Sequence, residues 1–174
     1  MLLIGIDNGL DGGIAVLGPC AGTSPIDYRK MPTRVVAGRR EVDPDGLSLC
    51  FYGIPGNVSE TTCYIEECPH HSRDKAAMRS MALSFGIILG VLSAMERRCG
   101  WRVQRVASGN AKDGWQRAML GTVPQGRTKE YALAAARSIW PSESFVLGGC
   151  RTPHDGCVDA ALIAEFGRRK GGVA

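Results

Sequence analysis

The sequence lacks most of the features that would assign its class at once. Its seven cysteines include no CxxC pair, no Walker-type Gly-x4-Gly-Lys-Ser/Thr occurs, repeats and low-complexity tracts are missing, and aromatic residues make up only 6% of the chain. Cys63, Cys68, His70 and His71 could be grouped as zinc ligands, but no second pair matches them, so structural zinc is not expected. Asp7 interrupts the opening apolar run too early for a secretory signal. With an odd cysteine count, this points to reduced thiols in a cytosolic-type compartment. The longest apolar stretch, 83–94, falls short of a membrane span, and no membrane partner is expected.

What is present suits one globular domain: 174 residues, 44% hydrophobic and 22% charged. We expect that domain over 1–170, with a short tail at 171–174. The net charge is +4, and Arg outnumbers Lys about three to one. Arginine pairs stand at Arg39/Arg40, Arg97/Arg98 and Arg168/Arg169. Guanidinium groups suit bidentate phosphate contacts. Charge of this size is equally compatible with a solvated surface and does not by itself establish a nucleic-acid partner.

Strands are predicted over 2–7 and 12–17, joined by the turn Asn8-Gly9-Leu10-Asp11-Gly12 as an antiparallel hairpin. Further strands are predicted over 26–31, 35–42, 61–66 and 101–106. Asp43-Pro44 reads as an N-cap with proline at N1, opening a helix to about Tyr52. The longest helical pattern, 74–98, is apolar over most of its circumference and carries Gly86-x3-Gly90, which predicts burial or an interface that includes Ile88 and Val91. Helices over 112–120, 128–140 and 153–169 complete an α/β order with a mixed sheet.

Carboxylates occur where carboxylates are awkward. Asp7 ends the run Leu3-Ile4-Gly5-Ile6, and Glu66 ends Cys63-Tyr64-Ile65. Asp155 and Asp159 stand four apart on a helix otherwise rich in Ala, Leu and Ile, where like charges share a face and repel. Each has a structural alternative. Asp7 suits an Asp-Asn-Gly turn, Glu67 competes with Glu66, and Thr152-Pro153-His154-Asp155 reads as a capping box with the acid at N3. Asp159, a turn inside an apolar helix, is hardest to explain this way. If the strand ends converge on that helix, four acids meet, and a divalent cation between them would relieve the repulsion. All-oxygen ligation favours Mg²⁺ or Mn²⁺ over zinc.

Together these segments resemble the RuvC-like Holliday-junction resolvases of the RNase H-like superfamily, especially phage-type and organellar members. Ile4-Gly5-Ile6-Asp7-Asn8-Gly9 is similar to their first-strand motif and Ile65-Glu66 to the second. The segment from His154-Asp155 to Asp159-Ala160-Ala161-Leu162 is similar to their last helix. Trp115-Gln116-Arg117 and Thr128-Lys129-Glu130 resemble the basic segment. The resemblance implies an RNase H-like fold, a homodimer, and magnesium-dependent cutting of four-way DNA junctions. Asp7, Glu66, Asp155 and Asp159 would hold two metals, with Lys129 beside them. Phosphate contacts are expected from Arg39, Arg40, Lys112, Arg117 and Arg127. The setting implied is the cytoplasm of a bacterial or phage-infected cell, with organelle stroma or matrix as the alternative. Asn8 departs from the usual proline. Glu67-Cys68-Pro69-His70-His71 occupies the place where bacterial members carry an aromatic wedge.

Three other functions share parts of this pattern. Gly5-Ile6-Asp7-Asn8-Gly9 also resembles the phosphate loop of sugar kinases and actin-like ATPases, which place a cleft between two such domains. An RNase H acting on RNA–DNA hybrids has the same fold, which cannot decide the substrate. A non-catalytic nucleic-acid-binding module would be expected to have lost an acid, and all four positions are filled.

Overall fold

The computed structural model describes residues 1–54, 60–68, 75–107 and 113–171. In chain order its strands are β1 (Leu2–Ile6), β2 (Gly13–Leu17), β3 (Asp27–Lys30), β4 (Thr33–Val36), β5 (Arg39–Val42), β6 (Thr61–Glu66) and β7 (Arg102–Val106). The helices are α1 (Pro44–Tyr52), α2 (Lys75–Cys99), α3 (Trp115–Leu120), α4 (Thr128–Ile139) and α5 (Asp155–Lys170). Five strands form one sheet in the order β3-β2-β1-β6-β7. β2 runs antiparallel to both of its neighbours, β1 and β3, while β6 and β7 run parallel to β1. Two central parallel strands must be covered on both faces, and the alternation of β1 and β6 supplies apolar groups to each. Ile4, Ile6, Cys63 and Ile65 face α1 and α2, whereas Leu3 and Tyr64 face α5 with α3 and α4 behind it.

α5 is buried along nearly its whole length because it lies between the sheet and the other two helices. Its seat is glycine against backbone. A Cβ on Gly5 would collide with the Ala160 carbonyl oxygen, and one on Gly13 would lie 2.6 Å from the Gly156 oxygen. A Cβ on Gly156 would lie 2.5 Å from Gly12 Cα, and the backbones of Gly12 and Gly156 pair as a bridge. Near its far end Glu165, almost fully buried, accepts from Arg168 at 2.6 and 2.8 Å and from Arg169 at 2.8 Å.

Several boundaries differ from the sequence reading. The single strand expected over 35–42 is a hairpin. β4 and β5 pair antiparallel around Ala37-Gly38, both with positive φ (48° and 75°). Such a two-residue turn matches strand twist, but Ala-Gly carries a weaker turn signal than Asn-Gly. The helix expected from 112 begins at Trp115, behind Gly114 as N-cap. The last helix begins at Asp155 rather than Pro153. His154 is the cap, its Nδ1 accepting from the Cys157 amide at 3.3 Å, so the Thr152 capping box does not form.

α2 packs only one stripe, Ser84, Ile88, Leu92 and Met95, into the core. Ile88 is fully buried there and does not belong to an interface. By length and composition α2 could cross a membrane, with mean hydropathy 1.6 over its most apolar stretch, unlike the dozen-residue run read from the sequence. Interspersed polar residues hid this; one stripe of α2 packs on the sheet, and most of the helix surface outside that stripe is not buried.

The glycine seat generates the first expectation. Gly5→Ala should destabilise the fold by about 3 kcal/mol, the upper part of the range for overpacked cores, because the obstacle is backbone. Urea unfolding checks this; an unchanged midpoint would mean that α5 can retreat without loss.

Candidate active site

Register brings the first two acids together. β1 and β6 run parallel with Ile6 opposite Ile65, so Asp7 and Glu66 emerge side by side at the same sheet end. Alternation puts both on the face of Gly5 and Tyr64, the face that α5 covers. Because Gly5 lies under Ala160, the preceding residue, Asp159, is held beside the same strand ends. Three acids thus converge from two strand termini and one helical turn.

Their surroundings oppose ionisation. Burial first, then the charge of Asp7, pushes Glu66 up to about 7, partly offset by Trp115, whose indole Nε1 donates to Glu66 Oε1 at 3.0 Å. Burial, followed by Asp7, Glu66 and Asp155, pushes Asp159 up to about 8, with Lys129 opposing. Asp7 is also raised by burial, against the Gly9 amide that donates to its Oδ1 at 3.2 Å and the nearby His154.

Asp155 stands apart from these three. Half exposed at the first position of α5, it pairs through Oδ2 with Lys129 Nζ at 2.6 Å. Lys129 comes from the first turn of α4, and its ammonium is held charged by Asp155, with Asp159 and Asp11 contributing.

The donor set fits a hard divalent cation chemically: every candidate ligand is a carboxylate, and two carry proton affinities that a positive ion would lower. Among the described residues, however, no three such groups are already gathered as a ligand cage. Glu66 spends one oxygen on Trp115 and Asp155 one on Lys129.

The expected cations are distributed unevenly. Arg40 lies at the rim, donating to Asp11 Oδ1 at 2.6 Å, and Arg39 is exposed beside it on β5. Arg117 is exposed on α3. Arg127 is held by Glu130 through contacts of 2.8 and 2.5 Å, an internal pairing that competes with any phosphate. Lys112, His70 and His71 lie outside the described residues.

Three residues at the site were not singled out for it in the sequence. Asn8, noted only as a missing proline, is buried, and its Nδ2 donates to the Glu66 carbonyl at 2.6 Å, tying the two strand ends together. Trp115 is fully buried and orients Glu66. His154 caps α5 and faces Asp7 electrostatically. The signal for Asn8 was a polar side chain in place of a turn proline, while Trp115 and His154 stood in the sequence only as members of the basic segment and the last-helix motif.

A mixed sheet of order β3-β2-β1-β6-β7 with its last helix laid across the central strands is an RNase H-like fold. Among solved structures the chain is similar to T. thermophilus RuvC in complex with Holliday junction substrate, with a TM-score of 0.57 and 17% identity over 98% of this chain and 96% of that one. The sequence matches no family model and no curated protein.

The raised carboxyl groups have a thermodynamic consequence. Glu66 and Asp159 bind protons more tightly folded than unfolded, so without metal the fold should lose stability as pH rises from about 4 towards 8. Thermal melts in chelator should show a higher Tm at pH 5 than at pH 8.5, and Asp159→Asn should narrow that difference. A Tm that instead rises between these values would contradict the burial of these acids.

Proposed function

We propose that the protein is a divalent-metal-dependent endonuclease that cuts branched DNA, four-way junctions foremost. The observation that carries this reading is the convergence of Asp7, Glu66 and Asp159 at one sheet end, with two of them pushed up to about 7 and 8. Acids so placed gain most from a cation. Asp7, Glu66 and Asp159 would hold Mg²⁺ or Mn²⁺, with Asp155 as a further oxygen donor from the rim. When bound, the ion supplies charge neutralisation at the phosphate and a water acidic enough to react at neutral pH.

The chain's own residues do the rest. Trp115 and Asn8 fix Glu66 at its side chain and carbonyl, so its free oxygen has a defined direction. Lys129, exposed on a flexible four-carbon stem, can pass from Asp155 to a phosphate oxygen and oppose charge developing there. Arg40, paired with Asp11 at the rim, and Arg117, exposed on α3, would position the DNA backbone. The substrate class is supported by the RuvC structure, whose bound partner is a Holliday junction. RNA–DNA hybrids are the rival substrate, and a non-catalytic binding module is the rival function.

A homodimer is part of this reading. On α2, the partly buried Ile87 and Val91 flank the exposed Gly86 and Gly90, where an added Cβ would meet nothing within 4 Å. Small residues so placed allow a second helix to approach closely, and two copies of the chain would cover one another's apolar flank.

Two outcomes are expected. Asp159→Asn should lower Mg²⁺-dependent junction cutting by orders of magnitude, because metal-assisted attack supplies several kcal/mol of barrier reduction, while junction binding survives. Glu66→Gln and Asp7→Asn should behave alike, and Glu67→Gln should change little. Cutting rates on a mobile junction, duplex, single strand and hybrid check this; wild-type cutting by folded Asp159→Asn would sink the proposal. In sedimentation, Val91→Asp should give soluble monomers, because Val91 is only partly buried, whereas Ile88→Asp should fail to fold. A dimeric Val91→Asp protein would move the interface elsewhere.

A further inference from the structure

A groove of about 800 Å³ runs between the β4–β5 hairpin and the N-terminal half of α2. Arg39, Arg40, Lys75 and Arg79 line it, against a single acid, Glu41. Glu41 is already engaged by Arg34 at 3.0 Å, and Arg40 by Asp11. Among the described residues Arg39, Lys75 and Arg79 are exposed and make no ion pair, leaving three uncompensated cations along one trough. The groove also has an apolar lining that a phosphate-binding surface alone does not require: Leu10, Val36 and Leu83, the last two 45% and 52% exposed.

We propose that this groove receives an unpaired DNA strand, its phosphates on the cations and its base faces on the three aliphatic side chains. A duplex hides its bases and would leave the apolar lining without a partner, whereas an unpaired strand offers both a charged edge and flat apolar surfaces. A second copy of the chain fits poorly, because an excess of like charge would face the same excess. The groove borders the loop that follows the first acid. Leu10 and Asp11 belong to the β1–β2 turn that begins at Asp7, and Arg40 bridges that turn to the hairpin. A strand lying there would pass beside the turn that follows Asp7. The inference deepens the nuclease reading and rests on it for the substrate. Its test is binding in chelator, whose outcome is independent of cutting.

Fluorescence anisotropy with full-length protein in EDTA would compare a labelled oligo-dT strand, a fork with unpaired arms and a blunt duplex, across a salt series. The doubly substituted Arg39→Ala, Arg79→Ala protein should bind strand and fork about tenfold more weakly or worse, with the salt slope lowered by about two, and should change little on duplex. Leu83→Ala should weaken strand binding without altering the slope, since it removes apolar contact and no charge. Circular dichroism confirms folding of each variant. Equal losses on strand and duplex, no loss at all, or a change in sedimentation without a change in strand binding would overturn the proposal. If junction cutting proves to depend on Asp159 while these variants bind strand normally, only the groove assignment falls. If the groove variants behave as expected and Asp159→Asn still cuts, the nuclease reading falls and the groove stands.

Discussion

The seating of α5 directly on the backbones of β1 and β2 is the constraint on which the rest of the structure depends. Helix and strand approach so closely only because Gly5, Gly13 and Gly156 carry no side chain at the contact. That proximity fixes both the height of α5 along the sheet and its rotation. Asp159 then has no freedom to point away from Asp7 and Glu66. The acids are crowded by packing rather than by any attraction between them.

Crowding of this kind is unfavourable on its own, and the surrounding residues moderate it without removing it. The Trp115 indole, the Gly9 amide, His154 and the Lys129 ammonium each offset part of the repulsion. Glu66 still stands near 7 and Asp159 near 8. At the other end of the same helix the buried Glu165 is held instead by two arginines, so its charge is paired.

The sheet and the acids were legible in the sequence because their signals are local. Alternating strands, a glycine-rich turn and an acid at the end of an apolar run require no knowledge of distant partners, and Asp159 betrayed itself by standing inside an apolar helix. What stayed hidden depends on partners far along the chain or on faint turn chemistry. Asn8 ties to a carbonyl 58 residues away, and Trp115 reaches Glu66 across 49. The Ala37-Gly38 turn lacks the Asn or Asp that usually marks a positive-φ pair. Periodicity showed α2 to be apolar on several sides but not which side the sheet would claim, which is why Ile88 read as interface and proved to be core. Arg127 counted as a free cation until Glu130, one turn on, was found holding it.

The parallel pairing of β1 with β6, together with the docking of α5, also fixes when the acidic cluster can exist. Its members come from near the start, the middle and the final helix of the described chain, so every contact among them has high sequence separation. Such contacts form late, after the long loops between them have closed. During synthesis Asp7 and Glu66 can pair across the sheet while α5 is still missing, and the third acid arrives only with that helix. An unfinished or locally opened chain therefore lacks the cluster altogether. If the cluster holds cations for cutting DNA, as proposed, topology acts as a timing device: no reactive centre before the fold around it is closed.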